Sequence, residues 1–162
     1  MDYKEFIKKY QSAKDKDKFL EKHITTKYLP YQRKIAEAKK IIELTMYSEV
    51  NGKKVFQQNS PLFYLMFVMR TILCYTDIAW EENENIVEVY NELCEANVFE
   101  PLILTIPHKE YDAFNTVLCM VKNDEMENYR SVAGFFDSKV DALGLMLNAF
   151  TEVVSTIETE EK

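Results

Sequence analysis

Three glycines and four prolines in 162 residues leave this chain few places to reverse direction. Sheet proteins turn roughly every eight to twelve residues and draw on Gly and Pro to do so, so a chain this poor in both is directed toward helices. The apolar residues repeat accordingly. Tyr3, Phe6, Ile7 and Tyr10 fall at i, i+3, i+4 and i+7, one face of a helix over Asp2 to Ala13. A short helix through Phe19, Leu20 and Ile24 follows the charged Lys14–Lys18 stretch. Pro30 reads as the first position of a third helix, with Ile35, Ala38, Ile41, Ile42 and Thr45 inward and Arg33, Lys34, Lys39 and Lys40 outward.

Asn51-Gly52 is the one strong hairpin signal and predicts a small two-stranded ribbon that must rest on helices, since an isolated hairpin is marginal in water. Asn59-Ser60-Pro61 caps and starts an apolar helix that runs to about Ile78. Glu81, Glu82 and Glu84 belong to the first turn of the next helix, where carboxylates favour the positive end of the macrodipole. That helix buries Ile86, Val89, Tyr90 and Leu93 and ends at Asn97. Val98 to Ile106 is either one tucked helical turn or a buried connector. From Pro107 onward apolar residues recur for some fifty positions, among them Phe114, Val117, Leu118, Phe136, Val140, Leu143 and Leu147. One helix of that length would span about 75 Å, so a break is expected, at Lys122-Asn123-Asp124 or at Gly134. The reading is an all-α, single-domain bundle of about six to seven helices over residues 1–162, with one small β-hairpin and a frayed acidic tail from 158.

Charge divides the chain in two. Residues 1–40 hold twelve Lys/Arg against six Asp/Glu, and residues 41–162 hold eight against twenty-one, within a net of −7. A basic arm on an acidic body, 41–157, is an electrostatic address for a partner acting over about 10 Å in ordinary salt. The acidic balance argues against direct nucleic-acid binding, and the lysines of the arm alternate with carboxylates that weaken their field. Leu62 to Trp80 is apolar, but Arg70 and Asp77 interrupt it, so a buried helix is favoured over a membrane span. Each of those two ions should pair with another segment or sit at the rim. Cys74, Cys94 and Cys119 lie among apolar neighbours like reduced, intracellular thiols, and the start Met-Asp-Tyr-Lys-Glu has no apolar signal region.

No motif for chemistry stands out. CxxC, HExxH, GxSxG and glycine-rich phosphate loops are all missing from the sequence, and His23 and His108 read as surface or capping residues. Carboxylate pairs such as Glu84 with Glu88 read as a solvated stripe. No enzyme, cofactor or metal is therefore expected. The candidate protein-binding residues are Tyr28, Tyr31, Arg33 and Lys34 beside the basic arm, where aromatic anchors adjoin cations, and Glu81, Glu82, Glu84 and Glu88 on the acidic body.

The order of a Lys-rich start, the Tyr28-Leu29-Pro30-Tyr31 turn, the Asn59-Ser60-Pro61 helix ending in Tyr75-Thr76-Asp77-Ile78, the Ile106-Pro107 opening and the 128–147 stretch resembles small uncharacterised proteins of tailed bacteriophages infecting Gram-positive bacteria. The resemblance implies a virion structural, assembly or accessory role, in the host cytoplasm or the virion, and carries over no catalytic residue. The expected function is a non-enzymatic protein-binding factor, its partner being another copy or another viral or host protein, with neither nucleic acid nor membrane as target. The alternative is an acidic nucleic-acid mimic that inhibits a host nucleic-acid-handling or defence protein.

Overall fold

In the computed structural model the described residues are 1–81, 83–131, 136, 139–144 and 146–147. Contacts divide the chain into two compact units, Met1–Lys122 and Asn123–Lys162. The described residues form an all-α architecture with one antiparallel hairpin: α1 (Tyr3–Ser12), α2 (Lys16–His23), α3 (Tyr31–Thr45), β1 (Tyr47–Val50), β2 (Lys53–Phe56), α4 (Ser60–Tyr75), α5 (Ile86–Glu95), α6 (Phe99–Thr105) and α7 (His108–Arg130).

The short helices start where a side chain replaces the missing intrahelical acceptor. The Asp2 carboxylate accepts from the Lys4 and Glu5 N–H groups, Asp15 from Lys18 N–H, Asn59 from Leu62 N–H and Asn85 from Val87 N–H. Pro30 caps α3 from one residue outside its expected position, its carbonyl accepting from the Arg33 and Lys34 N–H groups at 2.9 and 3.0 Å. Because Asn85 takes the cap of α5, Glu81 and Glu84 precede that helix instead of opening it. They close a turn of their own, the Glu84 carboxylate accepting from Glu81 N–H at 2.9 Å. At the far end of α5, Asn97 adopts φ 53°, the Asn97 N–H reaches Cys94 O and the Val98 N–H reaches Leu93 O. This double bond is the Schellman ending, and the buried Leu93 and Val98 supply its apolar contact.

Val98 to Ile106 forms two turns of helix, Pro101 falling in the first turn where its missing N–H is harmless. Asn51 and Gly52 take φ 53° and 74°, the pair of left-handed conformations that a two-residue hairpin needs. Tyr47 pairs with Phe56 edge to face across β1 and β2, and Gln57 and Asn59 N–H groups tie the ribbon to Met46 and Thr45 at the end of α3.

The core of the first unit lies around α4, whose Met66 to Met69, Thr71, Ile72, Cys74 and Tyr75 are buried against α3, α5 and α6. Each such large apolar side chain contributes about 1.5–3 kcal/mol. The basic N-terminal helices are fastened to the end of α4. Thr25 and Thr26 N–H groups both donate to Tyr75 O, and Met1 and Tyr3 exchange backbone bonds with Ala79. Phe6, Phe19 and His23 stack between α1 and α2, with centroids 4.6–5.3 Å apart.

One expectation is settled in part in the C-terminal third. The helix continues through Lys122-Asn123-Asp124 to Arg130, none of the three being a Pro or Gly, while Gly134, the other expected break, lies outside the described residues. Phe136, Val140, Leu143 and Leu147 are exposed.

Candidate functional site

Two buried ion clusters are anchored on α3 at Lys34 and Glu37, three residues apart on one face. The Lys34 ammonium, buried and not outward as its charge suggests, pairs with Glu110 at 2.8 Å. The Glu110 carboxylate also accepts from Leu29 N–H at 3.0 Å and from the Tyr75 hydroxyl at 3.1 Å. Burial alone would raise the Glu110 pKa, but these donors outweigh it and hold the carboxyl below its usual value. Glu37 takes two hydrogen bonds from the Arg70 guanidinium, and Lys40 adds an ion pair at 3.2 Å. Its carboxyl is likewise lowered against the effect of burial. Arg70 thus finds its partner on another segment, as an ion in so apolar a helix must.

The second embedded ion, Asp77, sits at the rim and meets His23 Nδ1 at 2.9 Å. His23 is buried beneath the Phe6 and Phe19 rings, a correction to its reading as a surface residue, because α1 closes over it. His108 is exposed at the start of α7 and pairs with Asp112.

These clusters hold segments together. Burial raises the Cys74 thiol and, with the Glu110 charge, the Tyr75 hydroxyl, so both stay protonated near neutrality. Among the described residues, three surface clefts, of 720, 580 and 330 Å³, are lined by none of these perturbed groups. Among the described residues no three His, Cys, Asp or Glu side chains come together as a metal site, and no helix is long and apolar enough to cross a membrane.

The structure places Tyr28, Tyr31 and Arg33 in and after the turn that opens α3, all exposed, with the Lys34 ammonium 5.2 Å from the Tyr28 ring centroid. Glu110 holds the Leu29 peptide and so fixes this turn from beneath. The acidic candidates lie elsewhere. Glu81 and Glu88 are exposed before and within α5, Glu84 is half-buried and paired with Lys4 at 3.4 Å, and Glu82 lies outside the described residues. Arm and body therefore meet within one chain at Lys4–Glu84 and Lys34–Glu110, yet most of the arm's cations remain on the surface.

Their clearest concentration is the 720 Å³ cleft between α2 and the corner joining α6 to α7. It is lined by Lys18, Glu21, Lys22, Ile24, Lys27, Thr105 and Pro107. Lys18 and Lys22 share a face of α2 at i, i+4, and Lys27 enters from the loop that follows. Lys18 pairs with Asp15 at 3.3 Å; among the described residues no carboxylate pairs with Lys22 or Lys27. The i, i+4 lysine spacing is visible in the sequence, but the cleft is not, because its other wall comes from residues some eighty positions away.

Comparison with protein-family models, with curated proteins and with solved structures finds no match.

Proposed function

We propose that this chain is a non-enzymatic protein-binding factor whose basic cleft receives an acidic segment of a partner protein. The observation that carries the reading is the cleft itself: three lysines and one glutamate are among the residues lining 720 Å³ in a chain of net charge −7. Its cations attract an acidic strand locally, while the acidic remainder of the surface repels an extended polyanion such as nucleic acid. Tyr28 and Tyr31, exposed and held by the Glu110–Leu29 bond, supply aromatic anchor area close in sequence to Lys27. A structural or assembly role in a tailed phage, acting in the host cytoplasm or the virion, is of this kind and is supported by the sequence resemblance alone.

The test is a titration of the full chain with a fluorescent Glu/Asp-rich peptide, with a single-stranded RNA of equal charge as comparison. Peptide binding that weakens as salt rises from 50 to 500 mM, and that drops at least tenfold in Lys22→Glu/Lys27→Glu, is expected. Binding indifferent to both changes, or tighter binding of the RNA, removes the proposal. The nucleic-acid mimic finds less support, since Glu84 is already bonded to Lys4 and to the Glu81 N–H, and Asp124, Glu125 and Glu127 belong to the other compact unit.

A further inference from the structure

The far end of α5 is built against its own dipole. The last turn of a helix carries partial negative charge on its carbonyls and favours cations, yet the last turn of α5 holds Glu92 and Glu95 and no basic residue. The neighbouring chain does not make up the deficit. From 71 to 108 the sequence has eight Asp/Glu and no Lys or Arg, and among the described residues no ion pair reaches Glu92, Glu95 or Glu100. A cation brought to this end would relieve a repulsion that folding leaves in place.

At the same end lies the 330 Å³ groove, lined by Cys94, Asn97, Phe99, Glu100 and Pro101. Asn97 joins it to the helix terminus, its side-chain amide donating to the Glu95 carbonyl at 3.3 Å. Phe99 and Pro101 are half-buried and give the groove apolar walls, while the exposed Glu100 is the one charged residue of its lining. The Phe99 ring is held in place by the Tyr90 ring, edge to face with centroids 4.9 Å apart, and the Tyr90 hydroxyl meets the Cys94 thiol and the Tyr64 hydroxyl. The volume is at the small end of ligand pockets, roughly 300–1,000 Å³, and suits an anchoring side chain better than a long segment.

A fixed aromatic ring, a carboxylate and a helix C-terminus together select a cation that is flat and weakly hydrated. A guanidinium stacks on a ring while its N–H groups reach a carboxylate, whereas an ammonium is a compact point charge that holds its water strongly. The chain's own basic arm is a poor source of such a group, since residues 1–40 hold eleven Lys and one Arg. A second copy is disfavoured as the occupant for that reason.

We propose that the groove between the end of α5 and the start of α6 seats an arginine side chain from a basic segment of a partner protein. It prefers the opposite charge from the cleft at Lys18, Lys22 and Lys27 and shares no lining residue with it, so the two sites succeed or fail independently.

The test is fluorescence anisotropy of the full chain with a labelled Arg/Gly/Ser peptide and with a Lys/Gly/Ser peptide of equal length and charge. The arginine peptide should bind at least fivefold tighter, and Phe99→Leu should abolish that ratio. Glu100→Lys should lower arginine-peptide affinity at least tenfold, and Glu127→Lys, the same charge change on α7, less than twofold. Glu95→Gln should weaken binding and yet raise the melting temperature, because it removes the clash with the helix end. A lower melting temperature would mean that this carboxylate is already answered within the fold, and overturns the proposal. Equal affinity for the two peptides, a ratio that survives Phe99→Leu, or equal losses in the two Lys variants overturns it too. A wild-type dimer in light scattering that Glu100→Lys dissociates would assign the groove to a second copy and likewise overturns it. Should Phe99→Leu fail to fold, the peptide ratio and the exposed Glu100 still decide.

Discussion

The Lys34 ammonium and the Glu110 carboxylate lie 2.8 Å apart with side chains only 5% and 14% exposed, so neither can be left alone without consequence. Glu110→Gln keeps acceptors for Leu29 N–H and the Tyr75 hydroxyl but strands a buried ammonium, and should cost about 3 kcal/mol in urea denaturation. Lys34→Met combined with Glu110→Gln removes both charges and keeps those acceptors, so it should recover at least half of that loss. A double variant no better than the single one would show that the ammonium is not the source of the penalty. Helical spacing puts Lys34 on the same face as Ala38, Ile41 and Thr45, and only its charge argued for an outward place. The partner that makes its burial tolerable was not legible, because that carboxylate is 76 residues away. Arg70 and Asp77 were more readable, since ions within an apolar helix announce a need for partners even when they do not name them.

Elements were read well where local chemistry sets their ends and less well where two local signals compete. The hairpin followed from Asn51-Gly52 because few residue pairs tolerate two successive positive φ angles. Three glutamates before Ile86 look like a helix start, but Asn85 is the better cap and the chain from Thr76 to Ala79 is already committed to backbone bonds with the N-terminal segment. Asn97 carries the ending of α5. Asn97→Ala places a residue with a high left-handed cost at φ 53° and should destabilise the first unit by about 1 kcal/mol, whereas Asn97→Gly should be near neutral. Thermal melts of the two variants separate backbone strain from loss of the amide, which both substitutions share.

At the scale of the molecule, the lowered carboxyls of Glu37 and Glu110 tie the first unit to pH. Their folded pKa values lie below 4.5, so their stabilising contribution is complete above that pH and declines as the pH falls through the folded values. The melting temperature of the wild-type chain should fall more steeply between pH 5 and pH 3 than that of Glu37→Gln/Glu110→Gln, which starts lower at pH 7. Parallel slopes for the two proteins would mean that other groups govern acid sensitivity.

The helical class, the hairpin, most caps and the unequal charge of arm and body were determined by the sequence, because propensity, turn geometry and net charge are local or summed properties. Which cations are buried, that α1 covers His23, and that Lys18, Lys22 and Lys27 share a cleft were decided only by tertiary structure. Each depends on residues far apart in the chain being brought within a few ångströms, and a periodic pattern records that a face is apolar without recording what will cover it.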